Sequence, residues 1–253
     1  MLDFTVAEAT DTDLQEWLKT PQGQRASQPS LIVPLHCDDA TSNIIDIASL
    51  KNQSAISTVE HAIGAKAAQI ARLSTMKLPA ACFTVIRPSF VIPFSYYKAH
   101  IDNSFPIAKN GDKHRLEELI DASKTMATRE LANELGKIQE HLIESDHFNS
   151  DLLDDLMSRI QEGLKPNGFL SNAGGVIFRS STNVEDLPGF NGAGLYLSEA
   201  VKTADLTNRE VVAETIKRVW ASVWTVRGFM ERSEFGLDQK SVRMAILVMP
   251  YLD

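Results

Sequence analysis

The chain has 253 residues with 43% hydrophobic and 23% charged content, enough for one large or two small soluble domains with a sizeable core. Its net charge of -8 excludes broad electrostatic attraction to nucleic acid or an anionic membrane, and leaves room for a locally basic nucleotide pocket. Cys37 and Cys82 lack metal-ligand spacing, no apolar run reaches membrane-spanning length, and the acidic, polar start carries no secretion signal, so a reducing cytoplasm is expected.

Residues 1–50 are mixed in pattern and carry no recognisable chemistry. Residues 11–18 fit a short helix capped by Asp11 or Thr12. Residues 21–29, rich in Gln, Ser and Gly, read as a linker, and 31–33 as a strand stopped by Pro34. A new unit begins near Ile56. Ser57 and Glu60 have capping-box spacing, and Ile63, Ala67, Ile70 and Ala71 share one helical face. Gly64-Ala65-Lys66 sits at the start of this helix, where the macrodipole disfavours a lysine; Lys66 therefore needs either solvent or an anion. Leu78-Pro79 breaks the chain. Residues 82–86 and 90–92 read as short strands around Arg87-Pro88, and 94–101 as a helix whose Tyr96 and Tyr97 serve packing.

Residues 112–163 turn helical throughout. Leu116, Leu119 and Ile120 mark one helix; Leu131, Leu135, Ile138 and Leu142 a second; Leu152, Leu153, Leu156, Met157 and Ile160 a third. Asn149 or Ser150 caps the last. Asp151, Asp154 and Asp155 look like a divalent-metal cluster, yet the first turns of a helix favour carboxylates without any metal. Residues 165–175 form a turn-rich connector.

The chemistry concentrates in residues 176–198. Val176-Ile177-Phe178 reads as the end of a buried strand that delivers Arg179, then Ser180, Ser181 and Thr182. Glu185-Asp186, the turn signal Pro188-Gly189 and the small segment Asn191-Gly192-Ala193-Gly194 follow. An arginine fork, hydroxyl donors and a glycine loop are the parts an oxyanion site needs; an ordinary glycine turn is the competing reading. There is no Walker-type GxxxxGK[ST], and the order G-x-x-G-x-G reverses the dinucleotide fingerprint. Leu195-Tyr196-Leu197 reads as strand. Beyond it, Thr207 and Glu210 form a second capping-box pair. The helix they open runs to about Arg232, with Val212, Ile216, Val219, Trp220, Val223 and Met230 on or near one face. Residues 241–249 close as a strand that ends at Pro250. The six histidines neither cluster nor sit in a nucleophile motif.

Arg179-Ser180-Ser181-x-x-x-Glu185-Asp186-Leu187 resembles the RSS-x-x-x-ED-L signature of the PEP/pyruvate-dikinase nucleotide-binding domains, a group that includes phosphoenolpyruvate synthases, pyruvate phosphate dikinases, rifampin phosphotransferases and glucan, water dikinases. The Ser-Thr-Asn-Val-Glu-Asp variant with Gly192-Ala193-Gly194-Leu195-Tyr196 is most similar to the glucan, water dikinase branch. Gly64-Ala65-Lys66-Ala67-Ala68 resembles the family's G-x-K-x-A segment, Phe90-Val91-Ile92-Pro93 its F-x-I-P strand, and Trp220-Ala221-Ser222-Val223-Trp224-Thr225-x-Arg227 its WAS-x-x-T-x-R helix. The matches run over residues 56–250.

The resemblance implies an α+β (α/β) fold, the N-terminal part of an ATP-grasp-like nucleotide-binding domain with an inserted helical segment at 112–163. Residues 1–50 have no clear counterpart in the family and stand as an unassigned N-terminal extension or linker, and 51–253 would be the incomplete ATP-binding domain. ATP and Mg²⁺ are the implied cofactors. Lys66 and Arg179 would contact ATP phosphates, Gly192, Ala193 and Gly194 would cover them, and Ser198 would stand in the outgoing strand. Arg227 would serve a phosphate or a structural acid such as Glu185. Ser180, Ser181 and the Glu185-Asp186 pair would hold the loop in shape. The family reaction moves the β-phosphoryl of ATP to a histidine in another domain. That histidine domain, with its GG-x-x-SH motif, and a second ATP-grasp half with Mg²⁺-binding carboxylates are the implied partners, neither found in this sequence. Met249-Pro250-Tyr251 stands where relatives tend to have Gln-x-Met. Two functions follow: part of a dikinase-type phosphotransferase, or a stand-alone, non-catalytic nucleotide-binding or interaction module. The phosphoryl acceptor is not readable.

Overall fold

A computed structural model of the chain describes residue 16 and residues 35–76, 89–106 and 115–251, apart from 186, 188, 189 and 191. The readings of 11–18 (Glu16, which is helical, apart), 21–29, 31–33, 78–79 and 82–88 therefore lie outside the described residues, as do Cys82, Asp186, Pro188, Gly189 and Asn191.

In chain order the elements are β1 (Ile45–Asp46), α1 (Gln53–Thr75), β2 (Phe90–Ile92), α2 (Phe94–Ser104), α3 (Arg115–Ala122), α4 (Thr128–Glu144) and α5 (Ser150–Leu164). β3 (Gly175–Thr182), β4 (Ser198–Lys202), α6 (Arg209–Ala221), α7 (Val226–Glu234) and β5 (Met244–Tyr251) follow. The strands form one sheet in the order β1-β2-β5-β3-β4 with every pairing antiparallel. The described architecture is thus α+β, and its pairings are not those of a parallel α/β sheet.

β5 lies in the middle of the sheet, and its apolar sequence answers to burial on both faces. Met244, Ile246 and Val248 join a core shared with the helices of one face, whereas Ala245 and Leu247 join Ile56, Ile63, Ala67 and Ala71 of α1 on the other. The two-residue alternation of a strand sorts these side chains. Each fully buried aliphatic side chain contributes on the order of 1.5–3 kcal/mol. Among the described residues β2 pairs no further along β5 than Val248, so no second described strand needs the donor that Pro250 lacks; β5 runs on to Tyr251 rather than ending at the proline.

The predicted apolar stripes of α4 and α5 are the buried ones: Leu131, Leu135, Ile138 and Leu142, then Leu152, Leu156, Met157 and Ile160. Asn149 caps α5, its side chain accepting from Leu152 N at 2.7 Å. Asp154 pairs with Arg209 at 2.5 Å and Asp155 with Arg159 at 2.9 Å, and no cluster of three potential metal ligands occurs among the described residues.

Four further boundaries differ from the sequence expectation. α1 opens at Gln53, capped by Asn52, which accepts from Ala55 N at 2.9 Å; Ser57 and Glu60 lie inside the helix. α6 is capped by Asn208 rather than Thr207. The helix expected through Arg232 stops at Ala221, makes a tight 3₁₀ turn over Ser222–Trp224, and restarts as α7 behind the cap Thr225. This break lets the consecutive Val223 and Trp224 both bury, and it turns Met230 outward. Finally, residues 195–197 are turn and bend, not strand. Leu195 and Tyr196 are adjacent yet both buried, which the alternation of a strand forbids at a one-sided edge.

Candidate functional site

The site is built where α1 crosses the end of β3. Within α1 the backbone breaks at Gly64, with φ 75° and ψ 171°, so a second helical segment starts just beyond it. A Cβ at Gly64 would lie 2.4 Å from the Ser181 carbonyl oxygen, so positive φ and close approach both demand glycine. The break would leave Ile63 O and Ala67 N unpaired. The Ser181 hydroxyl inserts between them, donating to Ile63 O at 2.8 Å and accepting from Ala67 N at 3.0 Å. Lys66 therefore stands in the first turn of the second segment, as its neighbours in sequence suggest.

Lys66 Nζ donates to Glu185 Oε1 at 2.5 Å and to Ser180 Oγ at 3.3 Å. The Glu185 side chain is only 4% exposed, so this carboxylate is buried and needs a cation beside it. The Thr182 hydroxyl accepts from Glu185 N at 3.2 Å and fixes the backbone that carries the acid. Arg179, one strand residue before the serines, forms no ion pair among the described residues. It faces a cavity of about 280 Å³ that Lys66, Gln69, Ile70, Leu73, Glu185 and Ala193 also line. A neighbouring cavity of about 240 Å³ lies across the kink and shares Glu185; His36 and His61, with ring centroids 5.6 Å apart, line it.

The glycine segment closes over this ground. Gly192 packs so near Glu185 that a Cβ would meet its Cγ at 3.1 Å. Leu195 N donates to Gly192 O at 3.2 Å, making a four-residue turn with Gly194 at its third position and φ 76°. That geometry is a type II turn, which requires a residue tolerant of positive φ. Tyr196 anchors the turn from behind: its hydroxyl accepts from Arg232 at 3.2 Å. Burial pushes the Tyr196 phenol up, and the Arg232 guanidinium beside it pulls it partly back. Arg232 is fully buried and also donates to Gln239 Oε1 at 2.8 Å and Val223 O at 2.9 Å.

Lys66, Arg179 and Ala193 thus meet around one cavity, with Gly192 beneath the turn and Gly194 on its outer bend. Ser198 faces Arg179 across the β3–β4 register, and its hydroxyl accepts from Ser180 N at 3.3 Å. Arg227 is outside the cavity lining, 71% exposed, with Glu231 at 3.6 Å; the carboxylate of Glu185 pairs with Lys66. Sequence reasoning missed Gln69, Ile70 and Leu73, which the i+3, i+4 and i+7 spacing from Lys66 would have placed on its face. It also named Arg232 only as the end of a helix, without its buried contacts. Two cations around a concave space with a glycine turn above can hold an anion. The described residues of this cavity do not by themselves make a Mg²⁺ site: among them Glu185 is the one carboxylate, and Lys66 engages it. Among the described residues no helix is long and apolar enough to cross a membrane.

The family described as pyruvate phosphate dikinase, AMP/ATP-binding domain, matches residues 60–252. The phosphoenolpyruvate synthase of Aeropyrum pernix is 28% identical over 189 residues, covering 74% of this chain and 20% of that protein. The phosphoenolpyruvate synthase of Pyrococcus furiosus is 24% identical over 212 residues, covering 74% of this chain and 24% of that protein. The chain therefore spans about a quarter or less of the length of these relatives.

Proposed function

We propose, because this chain belongs to the family of the pyruvate phosphate dikinase AMP/ATP-binding domain, that it holds the phosphates of ATP for a dikinase-type phosphoryl transfer. The observation that carries the reading is the meeting of Lys66, Arg179 and Ala193 around one cavity of about 280 Å³ beneath the glycine turn. Lys66 and Arg179 would neutralise phosphate charge, and Gly192, Ala193 and Gly194 would bring backbone amides over it. Ser198 and Arg227 would act at the margin. Phosphoryl transfer asks mainly for positioning and charge neutralisation, which is what this set supplies.

In this reading residues 51–253 are the N-terminal part of an ATP-grasp-like unit that draws its edge strand from β1, with 1–50 as an extension. The acceptor histidine sits in a separate domain. Mg²⁺ arrives with the nucleotide, and its carboxylates belong to a further ATP-grasp half. The greater length of the relatives supports such additional parts. Pairing with Glu185 prepositions Lys66, so a phosphate enters beside an already oriented ammonium.

Titration of the chain with ATP and with tripolyphosphate tests the reading. In Lys66→Ala both ligands are expected to bind about tenfold more weakly, the loss of one charge-assisted contact. Undiminished binding of both would remove the phosphates from this cavity.

A further inference from the structure

On the helical face of the molecule a recess opens between α3 and α4. The connection 123–127 brings α4 back past α3, and Arg115 at the start of α3 reaches Glu134 of α4 at 3.8 Å. Helices joined so closely ordinarily interlock their side chains. These two stay apart, around a cavity of about 270 Å³. Leu119, Ala122, Met126 and Ile138 make its apolar floor, with Leu119 and Ile138 anchored in the core below. Glu118, Glu130 and Glu134 stand on its rim, with Arg115 the cation among them. Glu134 is already engaged, by Lys137 at 2.5 Å as well as by Arg115. Glu118 and Glu130 are exposed, and neither forms an ion pair among the described residues. Each lies in the first turn of its helix, where the macrodipole favours a carboxylate. That accounts for the two acids, but not for the apolar gap between them.

We propose that this recess binds a small organic cation, an alkyl- or cycloalkylammonium whose hydrocarbon body covers the apolar floor while Glu118 and Glu130 take its ammonium group. Charge complementarity selects the sign: an anion would face two unneutralised carboxylates, and a neutral body would leave both unused. Ammonium–carboxylate contacts are charge-assisted, although water and salt weaken them at an exposed rim. The volume falls below the roughly 300–1,000 Å³ of pockets that enclose drug-sized ligands, which suits a smaller body. α3, with 8 residues, is only about 12 Å long, and Met126 closes one end of the recess. A compact molecule fits that space better than a helix laid along a groove. The recess is separate from the cavity proposed for ATP phosphates and does not rest on that reading.

Titration of the 253-residue chain with cyclohexylammonium, followed by NMR at the Met126 methyl group, tests the proposal, with cyclohexanol and cyclohexanecarboxylate as neutral and anionic counterparts. The expected result is a saturable shift with a Kd of about 1 mM, weakened about three- to tenfold in Glu118→Gln and in Glu130→Gln. Cyclohexanol should bind about tenfold more weakly or worse, and the carboxylate more weakly still. Ala122→Leu keeps both acids and fills the recess with a good helix former, so it should abolish the shift while the melting temperature stays level or rises. A shift that grows without saturation, equal affinity for cyclohexanol, or undiminished affinity in both Gln variants or in Ala122→Leu would each overturn the proposal. A short peptide of alternating lysine and leucine is expected to bind more weakly than the small cation; tighter binding of the peptide would give the recess to a protein partner instead.

Discussion

At the scale of single residues, Ser181 shows how a side chain can serve an element far away in sequence. It belongs to the motif Arg179-Ser180-Ser181, which reads as a set of donors for an anion. Its hydroxyl instead repairs the interrupted turn of α1, between Ile63 O and Ala67 N. Ser181→Ala leaves both backbone groups buried and unpaired, and is expected to cost about 1–3 kcal/mol in urea unfolding. An unchanged midpoint would mean that the kink needs no such bridge. His100 is a second residue with a measurable signature. It is buried against Trp220, with ring centroids 5.3 Å apart, and its Nε2 donates to Leu142 O at 2.9 Å. Desolvation holds its pKa below the ordinary 6.5, so the unfolded chain binds a proton more readily than the folded one. Its stabilising effect is therefore full above pH 6.5 and lost as pH falls from there towards the folded value. The urea midpoint should drop between about pH 7.5 and 5.5, and drop less in His100→Gln. Equal drops in both chains would exonerate the imidazole.

At the scale of elements, the long apolar stripes were legible and the punctuation between them was not. α4 and α5 repeat their leucines at helical spacing and bury those leucines. Helix starts failed where an asparagine competed with an equally plausible Ser or Thr: Asn52, upstream of Ser57, and Asn208, beside Thr207, take the caps, and the Ser57–Glu60 and Thr207–Glu210 spacings are incidental. The 3₁₀ break at Ser222–Trp224 leaves no local sign, since it exists to bury Val223 and Trp224 together. Of the residues the sequence singles out for the candidate site, Lys66, Arg179 and Ala193 line one cavity. The supports of the site were not legible, because Gly64–Ser181 and Tyr196–Arg232 are contacts between distant segments. Arg232 is the clearest case: its fork ties Tyr196, behind the glycine turn, to Gln239 and Val223. Lysine cannot reproduce that fork, so Arg232→Lys should destabilise the chain by about 2 kcal/mol and speed hydrogen exchange in the turn. Wild-type melting temperature together with wild-type exchange would show that the turn is held by other means.

At the scale of the whole molecule, an antiparallel sheet carries α1 on one face and the remaining helices on the other, and the two faces present different chemistry. The α1 face gathers Lys66, Arg179 and the glycine turn over an open cavity; the helical face carries the acid-rimmed recess between α3 and α4. The central claim is that the first of these cavities takes the phosphates of ATP. Arg179 decides it best, since it lines the cavity and, among the described residues, has no ion pair whose loss would confuse the result. Calorimetric titration of ATP into the wild-type chain, Arg179→Ala and Arg227→Ala measures it directly. A phosphate site predicts that Arg179→Ala binds ATP about 10–100-fold more weakly, and Arg227→Ala within about twofold of wild type. Equal affinity in wild type and Arg179→Ala would contradict the claim.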